Sequence, residues 1–313
     1  MIFYVSPSSD PFFNLALEEL LIKNYDADYI IISINKESVI TGKHQCAHRE
    51  TETSYVTGNK IPVIRRISGG GTVYHDQGNL NLTFIHNSEA GKQVDFARYL
   101  KPVLSFLSAA GINAVQEGSD IRVNGLKISG NAEHVFHNRV LHHGTILFDA
   151  CLETLRNCLR KDTSSYVTRA VVSNPANVIN LKDLTSRYSS IQELQYDLAG
   201  FLMNYHNDSS CNEMPEQLIR EAQSLAISKY STWEWNYAYG PEYEVQKNSN
   251  IFEKKSKMIL SVKDGIILSI VVKDNPGLER KLRILEGCRH MPGEIQNRLN
   301  DSGLFEIDAY GFF

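Results

Sequence analysis

The sequence predicts an α+β fold: a mixed, mostly antiparallel sheet packed with helices, followed by a small α+β C-terminal domain. Three observations carry that prediction. Short β-branched runs bounded by turn residues recur from Tyr29 onward, capped amphipathic helices interrupt them, and a separate hairpin pattern surrounds Asp264-Gly265 near the end of the chain.

The first helix starts at Asp10-Pro11, where the carboxylate can accept orphan amides and proline suits the first turn, and it runs through NLALEELLIKNY. YIIISI, ESVIT, IPVIRR and LNLTFI then read as strands. In the last, Leu80, Leu82 and Phe84 alternate with Asn81, Thr83 and Ile85, the period-two pattern of a strand that buries one face. A helix over 95–110 carries Phe96, Leu100, Val103, Leu104 and Leu107 on one side and stops at Gly111. Asn124-Gly125, between Ile121-Arg122-Val123 and Leu126-Lys127-Ile128, is the signature of a two-residue hairpin with both turn residues at positive φ. In ACLETLRNCL the stripe Leu152, Leu155, Leu159 marks a short helix, with Cys151 and Cys158 expected as core thiols. A further helix spans 191–205 and packs on the sheet. The polar stretch Gln246-Lys247-Asn248-Ser249-Asn250 reads as a linker between a large domain over 1–245 and a small one over 250–313. The small domain offers the hairpin KMILSV/IILSIVV and helical segments over 278–288 and 292–300.

The bulk composition narrows the function. With 32 Lys+Arg against 36 Asp+Glu, a net charge of -4 and a pI near 6.2, there is no basic excess to attract a polyanion, which argues against nucleic acid as a partner. Five cysteines without a CxxC pair argue against a disulfide framework or a cysteine zinc site, and fit reduced thiols in the cytoplasm. MIFYVSPSSDPFFN lacks the pattern of a secretory signal, and no apolar run approaches the ~20 residues of a membrane span.

The chemistry concentrates in Arg65-Arg66-Ile67-Ser68-Gly69-Gly70-Gly71, a connection between two strands. It lacks the Gly-Lys-Ser/Thr ending of a Walker loop. Three glycines let backbone amides approach a ligand closely, and a guanidinium matches phosphate oxygens, so the loop reads as a cradle for a nucleotide or acyl phosphate. The alternative is a sharp turn with two solvated arginines; Tyr74, His75 and Asp76, polar groups that follow at once, weigh against it. The Asn124-Gly125 hairpin sets Arg122 opposite Lys127, and two facing cations call for an anion unless both side chains point into water. Ser129-Gly130 leaves room for a ligand beside Lys127. The histidine pairs His44/His48, His134/His137 and His142/His143 lack metal-site spacing, so no metal ligand is assigned.

Taken together, DPFFNLALEE, ESVITGKHQCAHRE, RRISGGGTVYHDQGN, GLKISGNAE, HHGTILFD and SNPANVINL resemble the lipoate-protein ligase A family over most of the chain. The long arginine and glycine signature is the specific part. The resemblance implies a biotin/lipoate protein ligase-like catalytic domain over 1–245 that binds lipoate and ATP, and a small accessory domain. It implies ATP-dependent formation of lipoyl-AMP with Mg2+, then transfer of the lipoyl group to a lysine of a carrier domain. Such carriers are the E2 subunits of 2-oxoacid dehydrogenases and the glycine cleavage H protein. Carried onto this sequence, Arg66, Gly70, Gly71, Thr72, Val73, Tyr74, His75 and Lys127 would bind ATP and the lipoyl adenylate. Lys127 would also be the catalytic residue and would touch the lipoate carboxylate. Ile40, Val73 and Leu147 are candidates for an apolar acyl slot. The chain departs from the family at Cys46, where asparagine is usual and a contact at the lipoate pocket is at stake, at Asn174-Pro175, and at Ala176, which replaces a common serine. Three alternatives remain: an ATP-independent octanoyl or lipoyl transferase using a cysteine, a non-catalytic lipoate-binding protein, and a biotin ligase.

Overall fold

A computed structural model describes residues 1–89, 94–207, 211–249 and 256–313. In chain order the large unit contains β1 (Ile2–Val5), α1 (Pro11–Asn24), β2 (Tyr29–Ile34), β3 (Ser38–Thr41), α2 (Ala47–Glu50) and α3 (Thr53–Gly58). It continues with β4 (Val63–Arg65), β5 (Val73–His75), β6 (Asn79–Asn87), α4 (Phe96–Ala109), β7 (Val115–Glu117), β8 (Asp120–Val123), β9 (Leu126–Phe136) and β10 (Arg139–Leu147). Next come α5 (Leu152–Cys158), β11 (Tyr166–Thr168), α6 (Ile191–Tyr205) and α7 (Glu216–Leu225). The remainder comprises β12 (Tyr243–Ser249), β13 (Ser256–Lys263), β14 (Ile266–Val272), α8 (Pro276–Leu282) and α9 (Pro292–Asp301).

The expected fold class holds. Among the described residues the main sheet runs β1-β2-β6-β10-β9-β8-β7, antiparallel throughout except for the parallel β1–β2 pair. The helix starts follow the expected caps: Asp10 accepts from the Phe12 amide at 2.9 Å and Asp95 from the Arg98 amide at 3.1 Å. Asn124 and Gly125 have φ of 52° and 77°, which the two-residue hairpin requires, and Arg122 pairs with Lys127.

The reading of one central strand changes. Strand β6 buries both faces, not one: residues 79–86 are all buried. Leu80, Leu82 and Phe84 join Ile30 and Ile32 of β2 under α4 and α6, while Ile85 joins Tyr29 and Ile31 under α1 and α7. The polar residues on the second face, Asn81 and Thr83, are therefore internal. Sequence alternation cannot separate a solvated polar face from one that lines a cavity.

The second unit is the sheet β11-β12-β13-β14 with α8 and α9 closing its apolar face. The polar stretch read as a linker is strand up to Ser249, because β12 pairs with β11 on one side and β13 on the other. β11 comes from residues 166–168, so the two units are joined by backbone hydrogen bonds as well as by the chain. The helix expected over 278–288 ends early, with α8 giving way to a 3-10 turn at Arg283–Leu285. Of the two thiols expected in the core, Cys158 is buried and Cys151 is exposed at the start of α5. No helix among the described residues is long and apolar enough to cross a membrane.

The β5–β6 turn fixes the end of the main sheet. The Asp76 carboxylate accepts from the Gly78 amide at 2.9 Å and the Cys151 amide at 2.7 Å, so this residue caps a turn. A Cβ on Gly78 would sit 2.0 Å from the Asp149 carbonyl oxygen. Gly78→Ala is therefore expected to destabilise the protein by about 1–3 kcal/mol in chemical denaturation. Gly200→Ala in α6, where a Cβ meets nothing within 4 Å, should be neutral or slightly stabilising.

Candidate active site

Three strands set the site's scaffold. β3 pairs in parallel with β4 and antiparallel with β5, so the chain leaves β4 at Arg65, forms the glycine loop, and returns beside its own neighbour. Adjacent strand residues point to opposite faces. Arg65 and Arg66 consequently serve two different loops, and neither is solvated.

Arg65 is fully buried. Its Nη1 donates to the carbonyls of Gly42 (3.1 Å), Lys43 (3.0 Å) and Gln45 (2.7 Å), while Nε and Nη2 donate to Trp235 and Asn236 at 3.0 and 2.9 Å. Arg66, 5 % exposed, donates from Nη2 to the Gly69 and Gly71 carbonyls at 2.6 and 2.7 Å, from Nη1 to Ile40, and from Nε to Ser68 Oγ. Burial pulls both guanidinium pKa values down to about 10, which leaves them charged at neutral pH. Arg66 lines the cavity, yet four of its five N–H donors already bond protein atoms. Its demonstrable task is to hold the glycine loop in shape.

Within that loop Gly70 alone takes a positive φ, 84°, among the three glycines. Gly71 is needed for another reason: a Cβ there would lie 3.1 Å from Ser173 Oγ. The segment 171–176 covers the loop. Ser173 Oγ accepts from the Thr72 amide at 2.9 Å and from Gln45 Nε2 at 3.0 Å, and donates to the Glu50 carboxylate. Gln45 Oε1 in turn accepts from the Gly42 amide at 2.9 Å and the Thr72 hydroxyl at 2.8 Å. The cover continues along β9, where the Lys127 amide donates to Asn177 O at 2.9 Å and the Ile179 amide to Lys127 O at 3.1 Å.

Between loop, cover and hairpin lies a cavity of about 500 Å3. Arg66, Gly70, Gly71, Thr72, Val73, His75 and Lys127 all line it, as do Asn174, Pro175 and Ala176 of the cover. Tyr74 does not: its side chain is buried on the opposite face, donating to Glu37 at 2.9 Å, with its pKa raised by burial and that carboxylate. For the acyl slot, Ile40 and Val73 line the cavity and Leu147 does not; Leu15 of α1 does, unforeseen from the sequence. Cys46 also lies outside the cavity, packed in the core of the second unit, its thiol pushed up to about 12 by burial.

The cavity's inner wall carries a polar network with no local sequence signal. Glu18 of α1 lies 2.8 Å from His143 Nδ1 and accepts from Thr83 at 2.5 Å; His143 Nε2 lies 2.7 Å from Ser68 Oγ. Because Arg66 Nε donates into Ser68, the hydroxyl proton can go to His143 and the imidazole proton to Glu18. His75 is kept neutral, its pKa lowered to about 3 by burial and then by Arg66 and His143, with Nδ1 3.0 Å from Asn35 Nδ2. At the other end Lys127 folds over Gly130, where a Cβ would lie 2.7 Å from its Nζ. Lys127 and Arg122 share one carboxylate, Asp120, at 2.8 Å each. The anion between the facing cations is Asp120, supplied by the chain itself. Among the described residues no cluster of three or more His, Cys, Asp or Glu side chains could hold a metal ion.

Residues 10–200 match the model of the lipoyl protein ligase A/B catalytic domain. Lipoate–protein ligase 1 of Staphylococcus aureus is 32% identical over 318 residues, covering 97% of this chain and 93% of that one. Among solved structures, a T. acidophilum protein with bound lipoic acid aligns with a TM-score of 0.64 at 25% identity, covering 75% of this chain and 97% of that one. Lipoate-protein ligase A bound with ATP aligns with a TM-score of 0.63 at 25% identity, covering 75% of this chain and 98% of that one.

Ser173→Ala removes the acceptor of the Thr72 amide and the partner of the Glu50 carboxylate. Hydrogen exchange should then accelerate at Thr72 and across 171–176 by about 10-fold, as expected for losing about 1.4 kcal/mol of local protection, with little change in global melting. Unchanged exchange would show that Ser173 does not hold the cover.

Proposed function

The chain belongs to the lipoate-protein ligase family, and on that premise we propose that its cavity joins lipoate to AMP at the expense of ATP and then passes the lipoyl group to a carrier lysine. In the first step a lipoate carboxylate oxygen attacks the α-phosphorus of ATP and pyrophosphate leaves. In the second, the amine of a carrier lysine attacks the acyl carbon, an amide bond forms, and AMP leaves with the bonding electron pair.

The single observation that carries this reading is that the glycine loop, Lys127 and apolar Leu15, Ile40 and Val73 line one and the same cavity. A carboxylate and a triphosphate repel each other, so their reaction needs a fixed cation where the charges meet. Lys127 suits that position. Gly70, Gly71, Thr72, Val73 and the neutral His75 suit the nucleotide side, and Arg66 acts by holding the loop. The cover 171–176 would exclude water from the mixed anhydride, which would otherwise hydrolyse.

Magnesium is compatible with the residues present. It is usually held by substrate phosphates and water with few protein carboxylates, and the cavity carboxylates Asp120 and Glu117 are ion-paired with Lys127 and Arg122, so the phosphates would supply most of its ligands. Bound there, it would neutralise phosphate charge. The second substrate is a lipoyl carrier domain, such as a 2-oxoacid dehydrogenase E2 subunit or the glycine cleavage H protein. Five free thiols support a cytoplasmic setting.

A cysteine-dependent transferase fits less well, because no cysteine lines the cavity among the described residues: Cys46, Cys158 and Cys288 are buried with raised thiol pKa values, and Cys151 and Cys211 lie elsewhere on the surface. A thiol so desolvated is a poor nucleophile.

Lys127→Ala should abolish lipoate-dependent pyrophosphate release while leaving the circular dichroism spectrum unchanged. Release at the wild-type rate would remove Lys127 from the chemistry. With wild-type protein, modification of an apo carrier domain from an acyl carrier thioester, and never from free lipoate plus ATP, would overturn the ligase reading.

A further inference from the structure

The charged end of the cavity is closer to neutral than its arginine and lysine suggest. Asp120 bridges Lys127 Nζ through Oδ1 and Arg122 Nη2 through Oδ2, each at 2.8 Å, and Glu117 lies 3.4 Å from Arg122 Nε. Two cations thus face two carboxylates. All four side chains line the cavity. The arrangement is built by the backbone: a register shift between Ile121 and Arg122 sets Asp120 opposite Gly130, the residue over which Lys127 folds. Asn131 anchors the turn before Asp120, its amide and Nδ2 donating to Ser119 O at 3.1 and 2.9 Å.

An incoming carboxylate or phosphate therefore competes for Lys127 with a carboxylate already bonded to it. We propose that Asp120 is an exchangeable counter-ion, a positioning residue that parks Lys127 over Gly130 in the empty site and yields it to the substrate anion while keeping its bond to Arg122. This inference rests on the ligase reading of the cavity and adds to it a control on substrate affinity. Asp120 keeps Lys127 ordered and pointing at the cavity when no substrate is present, at the cost of weaker binding of the acyl carboxylate. Arg122 makes the exchange workable. Its guanidinium still bonds Asp120 and the Gly125 carbonyl at 3.0 Å after Lys127 departs, so Asp120 is never left unpaired. Glu117, 3.4 Å from Arg122 Nε, continues to face the same guanidinium.

The test is calorimetric binding of lipoate, and of neutral lipoamide as a control, to wild type and to Asp120→Asn, without nucleotide or magnesium. Lipoate should bind the variant about three- to ten-fold tighter at about 10 mM salt, with the gain shrinking near 0.15 M, and lipoamide should bind both proteins equally. In a Lys127→Gln background the gain should vanish, since the competition is for that ammonium group. Asp120→Ala should reproduce the gain if the amide perturbs the turn. Unchanged or weaker lipoate binding, or an equal gain for lipoamide, overturns the counter-ion. Wild-type protein that binds no lipoate would overturn the ligase reading itself, and the counter-ion with it.

Discussion

Two adjacent arginines, Arg65 ending strand β4 and Arg66 just beyond it, hold the whole site together. A guanidinium taken out of water is tolerated only when its donors are satisfied, and here backbone carbonyls do this in place of carboxylates. Arg65 gathers the carbonyls of Gly42, Lys43 and Gln45 and ties them to 235–236, while Arg66 gathers those of Gly69, Gly71 and Ile40. The two loops so formed touch: a Cβ on Gly42 would lie 2.2 Å from the Gly70 carbonyl oxygen. Carbonyls turned inward toward guanidinium groups leave the loop amides free to face other partners.

Around this centre each layer contributes one wall. Helix α1 supplies Glu18 and Leu15 from a face whose neighbours are core, β10 supplies His143, and the hairpin β8–β9 supplies Lys127. The cover 171–176 is fastened by Ser173 to both the glycine loop and Glu50 of α2. Opening the cover therefore requires breaking contacts to two elements together, while the cavity floor stays in place. The charge arrangement follows a similar economy. Asp120 satisfies Lys127 and Arg122 at once, so neither cation is left without a counter-charge.

The glycine loop, the capped helices and the charged hairpin were legible because each depends on residues close in sequence. Arg122 opposite Lys127 follows from a two-residue turn, whereas the space at Gly130, read from the sequence as room for a ligand, is taken by the Lys127 side chain itself. Side-chain placement was less legible: Tyr74 and Leu147 are near the signature along the chain, but the Tyr74 side chain faces the other side of β5 and Leu147 lies outside the cavity. Cys46 departs from the family pattern at a position that packs into the second unit.

By itself the sequence determined the α+β class, the family, and the two motifs that come to line the cavity, since periodicity, turn chemistry and a long signature are local properties. Only the tertiary structure decided that both arginines are buried, that the anion between the facing cations is Asp120, and that Glu18, His143 and Ser68 form one network. The physical reason is distance along the chain: Glu18 and His143 are separated by 125 positions, and Ser173 meets Glu50 across 123. No local pattern encodes such meetings. They arise when a helix and a strand pack on opposite sides of the same cavity, where a buried polar group must find whatever partner folding brings to it.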